Sequence, residues 1–425
     1  MEKEMMNKLL DLGADEAVVK ITDDDIEQVR FSRNRIDIAK NWLEKTADIF
    51  VAVGNKTFST TLKNFEDVDK SLKKVMTLVK KTGENKSYHG TAKDGFDYRK
   101  PSFDKKIIGA DCKEYVHDAL NEIEGTGAGT VYKHHVKTRI ATPCTRAKDE
   151  TTSIEFSIRV FLEDLVSGHR VNVARDLSNF DPASAAREAS ALAKMYRNPK
   201  GGTVGQYDLI LDPLFFGSMV NYTLGSASAF NVEAGMSFFK DKIGEKVAPE
   251  FFTMIDTGEG LYARRFDDEG ASTGENKIIE NGVYKTYLHN TSTAHRFETE
   301  TTGNAGLVAP GSWNFEIEPG NRSKEELFED FTGLYLTNTW YTRFQNRMTG
   351  DFSTIPRDAI FYYENGEIRE SWKDIRVSDN MLNLYKNIAA LSRERQMVKW
   401  WYEVEEPGIA PYVLVKDVNI TQSTQ

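Results

Sequence analysis

Three consecutive carboxylates, Asp267, Asp268 and Glu269, close on Gly270. Such a run could hold a cation, but hard-ion sites draw their oxygens from alternating or distant positions. The spacing therefore predicts a solvated turn whose glycine takes a backbone angle closed to other residues. The histidines give no stronger signal. His134 and His135 are adjacent on a predicted strand, so they point to opposite faces and cannot easily share one metal. His289 and His295 have no carboxylate or cysteine spaced to complete a zinc site. His169, in Ser167-Gly168-His169-Arg170, reads as part of a turn. The serines of Gly225-Ser226-Ala227-Ser228-Ala229 lack the Gly-x-Ser-x-Gly elbow of a nucleophile and read as a close-packing run after a helix. Neither glycine-rich phosphate signature is present.

The elements that must position these residues fall into three units. In residues 1–83, Met5, Met6, Leu9 and Leu10 mark a short helix stopped at Gly13, followed by strands at Ala17–Ile21, Ile26–Phe31, Asp48–Val53 and Thr57–Leu62. A helix then carries Val68, Leu72, Val75, Met76 and Val79 on one face. Residues 84–103 have almost no aliphatic side chains and read as a linker. Residues 104–200 repeat the order, which points to a duplication. Asp111 and Glu114 form a capping box, strands lie at Gly129–Ala141, Ser153–Leu162 and Leu165–Ala174, and Asp181-Pro182 opens an Ala-rich helix to Met195. Residues 201–425 form a third, β-rich domain with two-residue hairpin turns at Asn281-Gly282 and Asn365-Gly366. Helices are expected near Leu214–Leu224 and Met381–Arg395. The fold class is α+β, with two helix–strands–helix subdomains and a C-terminal domain dominated by antiparallel sheet.

Composition excludes several function classes. The chain has 425 residues, 40% hydrophobic and 28% charged, which suits a folded protein of more than one domain. A net charge of -10 and no dominant basic cluster argue against a nucleic-acid partner. The uncharged run Leu214 to Val232 is too polar for lipid, so no membrane span is expected. Met1 to Leu12 carries Glu2, Lys3, Glu4 and Lys8, which is not a signal-peptide pattern. With Cys112 and Cys144 the only cysteines, a reducing, cytoplasmic location is expected.

Several segments in order then carry a resemblance. Gly205-Gln206-Tyr207-Asp208-Leu209-Ile210-Leu211-Asp212-Pro213 comes first, then Lys242-Ile243-Gly244-Glu245-Lys246-Val247-Ala248 and Arg264-Arg265-Phe266-Asp267-Asp268-Glu269-Gly270. The Asn281-Gly282 hairpin, Thr302-Gly303-Asn304-Ala305, Gly350-Asp351-Phe352-Ser353 and Glu364-Asn365-Gly366-Glu367-Ile368 follow. Together these resemble the TldD/PmbA family of peptide-cleaving assemblies over most of Gly205 to Ala390. One branch of that family is a zinc metalloprotease with His-Glu-x-x-x-His on the helix after the first strand of the last domain, and a later cysteine. The other branch, PmbA or TldE, lacks those residues and pairs with the first. Here the corresponding stretch Leu214 to Val232 has no His, Glu, Asp or Cys, and no cysteine follows Cys144.

The resemblance thus implies a non-catalytic subunit of a TldD/TldE-type metalloprotease acting on small unfolded or leader peptides. It implies no catalytic or metal-binding residue in this chain and zinc in a TldD-like partner. The partner would form a hetero-oligomer with this chain, with a homodimer as the other arrangement. Asp267, Asp268, Glu269, Gly270, Thr302, Gly303 and Asn304 are expected to be turns, either shaping a peptide groove or purely structural. Two rival readings stay open. One is a stand-alone homo-oligomeric metallopeptidase with an atypical metal site drawn from His289, His295 and Asp267. The other is a non-enzymatic peptide-binding protein.

Overall fold

The computed structural model describes residues 1–95, 103–163 and 166–423; residues 96–102 of the predicted linker and Leu165 of a predicted strand lie outside the described residues. The N-terminal half runs α1 (Glu2–Asp11), β1 (Glu16–Ser32), β2 (Arg35–Val53), β3 (Lys56–Leu62), α2 (Val68–Val79), α3 (Lys105–Gly109), α4 (Cys112–Asn121), β4 (Thr126–Ala141), β5 (Arg146–Glu163), β6 (Val166–Ala174) and α5 (Pro182–Met195). Its strands form one antiparallel sheet in the order β3-β2-β1-β4-β5-β6. The two N-terminal units therefore meet edge to edge, where β1 pairs with β4 from Val19 opposite Ala141 to Phe31 opposite Gly129.

The strands expected at Ala17–Ile21 and Ile26–Phe31 are one continuous strand. The acidic run Asp23-Asp24-Asp25 interrupts the apolar pattern but not the ladder. Asp23 meets Lys45 of β2 and Arg139 of β4, and Asp24 meets His134 of β4. Cross-strand charge pairs of this kind support a ladder that β-propensity alone would not. Asp111 does cap α4, but its side chain accepts from Lys113 N rather than closing a box with Glu114.

Alternation gives this sheet two unlike faces. Val19, Ile21, Val29 and Phe31 of β1 are buried against helices, α1 and α2 covering one half and α4 and α5 the other. Lys20, Thr22, Asp24 and Gln28 point the other way, toward the C-terminal domain, and line clefts there.

That domain comprises β7 (Lys200–Gly201), β8 (Gly205–Leu211), α6 (Pro213–Ala227), α7 (Ala229–Glu233), β9 (Met254–Thr257), β10 (Glu275–Glu280), β11 (Val283–Tyr284), α8 (Thr291–Arg296), β12 (Asn314–Ile317) and α9 (Lys324–Phe328). It continues with β13 (Gly333–Asn346), β14 (Asp351–Glu364), β15 (Glu367–Lys373), β16 (Ile375–Asn380), α10 (Met381–Lys386), β17 (Ile388–Trp400) and β18 (Val404–Gln422). The sheet order is β11-β10-β9-β12-β18-β8-β13-β14-β15-β7, with β16 and β17 joined to it through β18. Most neighbours are antiparallel, and the whole is α+β. Asn281 and Gly282 at φ 49° and 78°, and Asn365 and Gly366 at φ 51° and 78°, make the two tight hairpin turns, the left-handed angles that Asn-Gly accepts.

The helix expected over Met381–Arg395 is shorter. It stops at Lys386, and Ile388 onward is β17, whose Ile388 and Leu391 are buried in the ladder with β18. Tertiary pairing overrides the local helical spacing there. His169 also departs from expectation, lying buried within β6 rather than in a turn. Gly168 marks close approach instead, since a Cβ there would meet the Ala189 carbonyl oxygen of α5 at 2.1 Å.

Two buried ion-pair groups join the halves. Arg170 of β6 lies 3.1 Å from Asp212, the residue that caps α6, and Tyr335 donates to the same carboxylate at 2.7 Å. Arg159 of β5 lies 2.7 Å from Asp358, which also accepts from Asn338 at 2.8 Å.

Candidate functional site

The carboxylate turn sits between β9 and β10, against the polar face of the N-terminal sheet. Phe266 anchors it by packing among Val18, Ile140 and Ala147. The turn closes where Gly270 N donates to Asp267 O at 3.2 Å, with Gly270 at φ +82°. A Cβ on Gly270 would lie 3.0 Å from both Thr142 and Thr145, so a side chain there is refused twice. The turn is not solvated, however. Asp267 is fully buried because its carboxylate is consumed by the backbone. Glu269 N and Ala271 N each donate to it at 2.9 Å, and Ala305 N donates at 3.0 Å. Asp268 N in turn donates to Ala305 O at 2.8 Å, so the turns at 267–270 and 302–305 are stitched together.

The second turn is equally fixed. Asn304 is buried and donates to Asp256 at 2.7 Å and to Gly311 O at 2.9 Å, while Asn276 donates to Asn304 Oδ1 at 3.0 Å. Gly303 takes φ +70° with the Ser272 carbonyl oxygen 2.3 Å from where a Cβ would stand. Thr302 Oγ1 accepts from His289 N at 2.8 Å. Asp256 escaped the sequence reading; its signal was an acid inside the apolar strand Met254-Ile255-Asp256-Thr257.

The four carboxylates differ electrostatically. Burial pushes Asp256 and Asp267 up to about 6, against amide donors that favour the charged form. Glu269 is pushed up to about 7 by burial and by the nearby Asp267 charge. It accepts from Thr291 N at 3.1 Å, at the first turn of α8. Burial also acts on Asp268, but Arg264 and Lys20 outweigh it and hold the group below its ordinary value. Lys20 Nζ is 2.7 Å from Asp268 and 3.1 Å from Asp48, so β1 reaches across to the turn.

Clefts open on both sides. One, of about 490 Å³, has Val18, Phe50, Tyr88 and Val308 in its walls and Asp268 and Glu269 at its base. The other, of about 330 Å³, lies between Lys20, Asp24, His134 and Asp149 of the sheet and the segment Leu261–Phe266. Residues 84–95 line the first rather than hanging free: Tyr88 donates to Glu16 at 2.9 Å and His89 N to Ser292 at 3.0 Å. Chemically, this is a fixed, internally bonded turn that presents the carboxylates of Asp268 and Glu269 to a half-apolar cleft. Main-chain N–H groups or an amine suit such acceptors.

Apart from the stacked pair His89 and His295, the histidines singled out in the sequence do not converge. His134 pairs with Asp24 at 3.0 Å and His135 with Glu150 at 2.6 Å. His289 contacts Thr293 at 3.2 Å, whereas His295 stacks on His89. Among the described residues, no three His, Cys, Asp or Glu are grouped to hold a metal ion. Among them too, no helix is long and apolar enough to cross a membrane.

Residues 204–422 match the PmbA/TldA metallopeptidase C-terminal domain. A metalloprotease of Methanocaldococcus jannaschii is 36% identical over 227 residues, covering 50% of this chain and 48% of the relative. The chain spans about half the length of the curated relatives it matches. Two crystal structures share the fold over nearly the whole chain, each at TM-score 0.84. One is TldE from Thermococcus kodakarensis, 19% identical, covering 98% of this chain and 99% of that one. The other is a proposed modulator of a DNA gyrase from Thermotoga maritima, 22% identical with the same coverage. With more than half its length matched by the family's C-terminal domain, the chain belongs to the TldD/PmbA metallopeptidase family.

Proposed function

We propose that this chain is the non-catalytic, TldE-like subunit of a cytoplasmic two-subunit metallopeptidase, holding small unfolded or leader peptides for a zinc-bearing, TldD-like partner. The observation that carries this reading is α6. A zinc hydrolase needs about three protein ligands and a carboxylate to take a proton from the bound water. No residue of α6 is His, Glu, Asp or Cys, and most of the helix is buried. Its polar Asn221 is spent on Glu406. These residues do not fit a zinc ion, so in this reading the metal and the bond-breaking step belong to the partner.

What this chain contributes is shape and acceptors. The stitched turns Asp267–Gly270 and Thr302–Asn304 fix the wall between its N-terminal sheet and C-terminal domain, and of their side chains Asp268 and Glu269 face a cleft where the N–H groups of an extended chain can be held. The stand-alone reading is less well supported, because Asp267 has its oxygens taken up by three backbone donors.

Metal analysis and peptidase assays on the purified chain, alone and co-expressed with a His-Glu-x-x-x-His relative, test the proposal. The expected result is no stoichiometric zinc and no cleavage alone, with both present in a co-purifying complex. Tightly bound zinc with peptidase activity in the isolated chain would overturn it.

A further inference from the structure

The β13–β14 and β17–β18 hairpins carry an aromatic and cationic shelf apart from the carboxylate turns. Tyr341, Trp401 and Tyr402 are 49%, 66% and 65% exposed. Trp340 lies among them, its ring centroid 5.6 Å from those of Tyr341 and Trp400 and 5.3 Å from that of Trp401. Large aromatic side chains left in water are uncommon unless they serve recognition.

The backbone beneath them is also unusual. Tyr341 and Trp401 take φ +59° and +40°, a region bulky residues rarely enter. The structure holds that geometry deliberately at Tyr341, whose N–H donates to the buried Glu403 carboxylate at 2.8 Å. Strain kept in place by surrounding contacts concentrates at binding surfaces.

The shelf is charged as well. The Arg343 guanidinium stands 5.4 Å from the Tyr341 ring, and that of Arg357 5.6 Å from the Trp340 ring. Lys399 Nζ donates to Trp401 O at 3.2 Å. Among the described residues, Arg343, Arg357, Lys399 and the nearby Arg30 have no carboxylate at ion-pair distance. The other charged groups of the cleft are already matched: Arg159 with Asp358, His134 with Asp24, and Glu155 with Tyr262. The shelf overhangs a cleft of about 720 Å³ against the N-terminal sheet, lined by Arg30, Tyr132, Trp340, Lys399 and Trp401.

We infer that this shelf and cleft bind an acidic, extended peptide segment, its carboxylates on Arg357, Lys399 and Arg30 and its apolar side chains on the indole faces. This rests on the peptide-holding reading above and names the class of segment held. Charge complementarity argues for it, since unmatched cations on a chain of net charge -10 are a local exception. A single-stranded nucleic acid would also value aromatic faces and cations, but it carries a phosphate at every step. Glu155 in the cleft and Glu405 near the hairpin tip repel any anionic chain, and a segment with apolar residues between its carboxylates meets them with less charge than a phosphate at every step.

Fluorescence anisotropy on the full chain tests the inference. The probes are an acidic peptide of about eight residues with one phenylalanine, its lysine counterpart, and an oligodeoxynucleotide of similar length. The acidic peptide is expected to bind about tenfold more tightly than the lysine peptide and to weaken with salt. Lys399→Glu with Arg357→Glu is expected to weaken it about tenfold, and Trp401→Ala by a comparable factor, while Lys63→Glu on β3 leaves it unchanged. These side chains are at the surface, and circular dichroism checks that each variant folds. Equal binding of both peptides, insensitivity to charge reversal, or preference for the oligonucleotide overturns the inference. Co-purification with a zinc-bearing partner without acidic preference would remove the shelf alone. Acidic preference without any such partner would remove the subunit reading alone.

Discussion

Two polar knots sit where the halves of this molecule meet, and they are built on opposite principles. In the first, Arg170 meets Asp212 and Arg159 meets Asp358, so each buried charge faces its opposite. His169 sits inside it as a neutral ring. The Asn338 amide donates to its Nδ1, which leaves Nε2–H for Ser157, and burial holds its pKa down to about 3. In the second knot, Asp256 and Asp267 are buried and Glu269 is half-buried, with amide partners, and their pKa values climb to about 6, 6 and 7. A knot of matched charges is a weld. In a knot of like charges held by neutral donors, burial instead lifts the groups toward neutral pH.

The largest effect is expected at the weld. Asp212→Ala removes the cap of α6 and strips Arg170 and Tyr335 of their shared carboxylate. Arg170 keeps Glu188 at 3.1 Å, but that carboxylate is half exposed, so the loss is expected to be about 3 kcal/mol, the low end of the cost of unpairing a buried charge. Urea denaturation should show that loss as a lower midpoint at unchanged slope. A loss below about 1 kcal/mol, the scale of a surface pair, would erase the distinction between the knots.

Next comes the steric pin of the second knot. Gly303→Ala places a Cβ against the Ser272 carbonyl oxygen at a left-handed backbone angle. The cost is expected to be roughly 2 kcal/mol. It should also loosen the Asp267 to Ala305 bond, seen as faster hydrogen exchange of the Ala305 amide.

Glu269→Gln is expected to act in the opposite direction. The folded pKa of about 7 lies above that of an unfolded glutamate. The associated stability is therefore fully present below about pH 4.5 and lost as pH rises through about 7. Glutamine keeps an acceptor for Thr291 N and carries no charge, so the variant should gain about 1–2 kcal/mol at pH 8 and match the parent at pH 4. The weld titrates the other way. His169 contributes stability that is complete above about pH 6.5 and is lost as pH falls toward 3.

How much of this was legible beforehand follows the range of the interactions. Turns set by adjacent residues were readable: the Asn-Gly hairpins, the glycine at 270, the stop at Gly13. The α6 helix was readable because proline, an aspartate cap and apolar content agree locally. The burial of Asp267 was not, since a run of acids reads as solvated until Ala305, far along the chain, donates its amide. The joining of the two N-terminal units into one sheet and the place of His169 in β6 likewise depend on β1 pairing with β4 and on α5 closing over Gly168. Asp256 is the instructive miss, because an acid alone in an apolar strand can only be buried with partners.

Asp268 tests the comparison at its finest grain, one residue from Glu269. By sequence it belongs to the carboxylate turn, but by environment it belongs with the weld, since Lys20 and Arg264 surround it. Its folded pKa is held below the unfolded value, so its contribution is present above about pH 4 and is lost as pH falls further. Asp268→Asn should therefore destabilise at pH 7, where Glu269→Gln stabilises. The effect should be modest, about 1 kcal/mol, because Lys20 keeps Asp48 at 3.1 Å and Arg264 keeps its stacking on the Trp313 ring. Thermal melts of the two single variants at pH 4, 6 and 8 separate the possibilities. Shifts of opposite sign at pH 8 would establish that opposite electrostatic regimes meet between adjacent residues. Shifts of the same sign would mean that the turn responds as one acidic patch and that its contact with β1 does not govern Asp268.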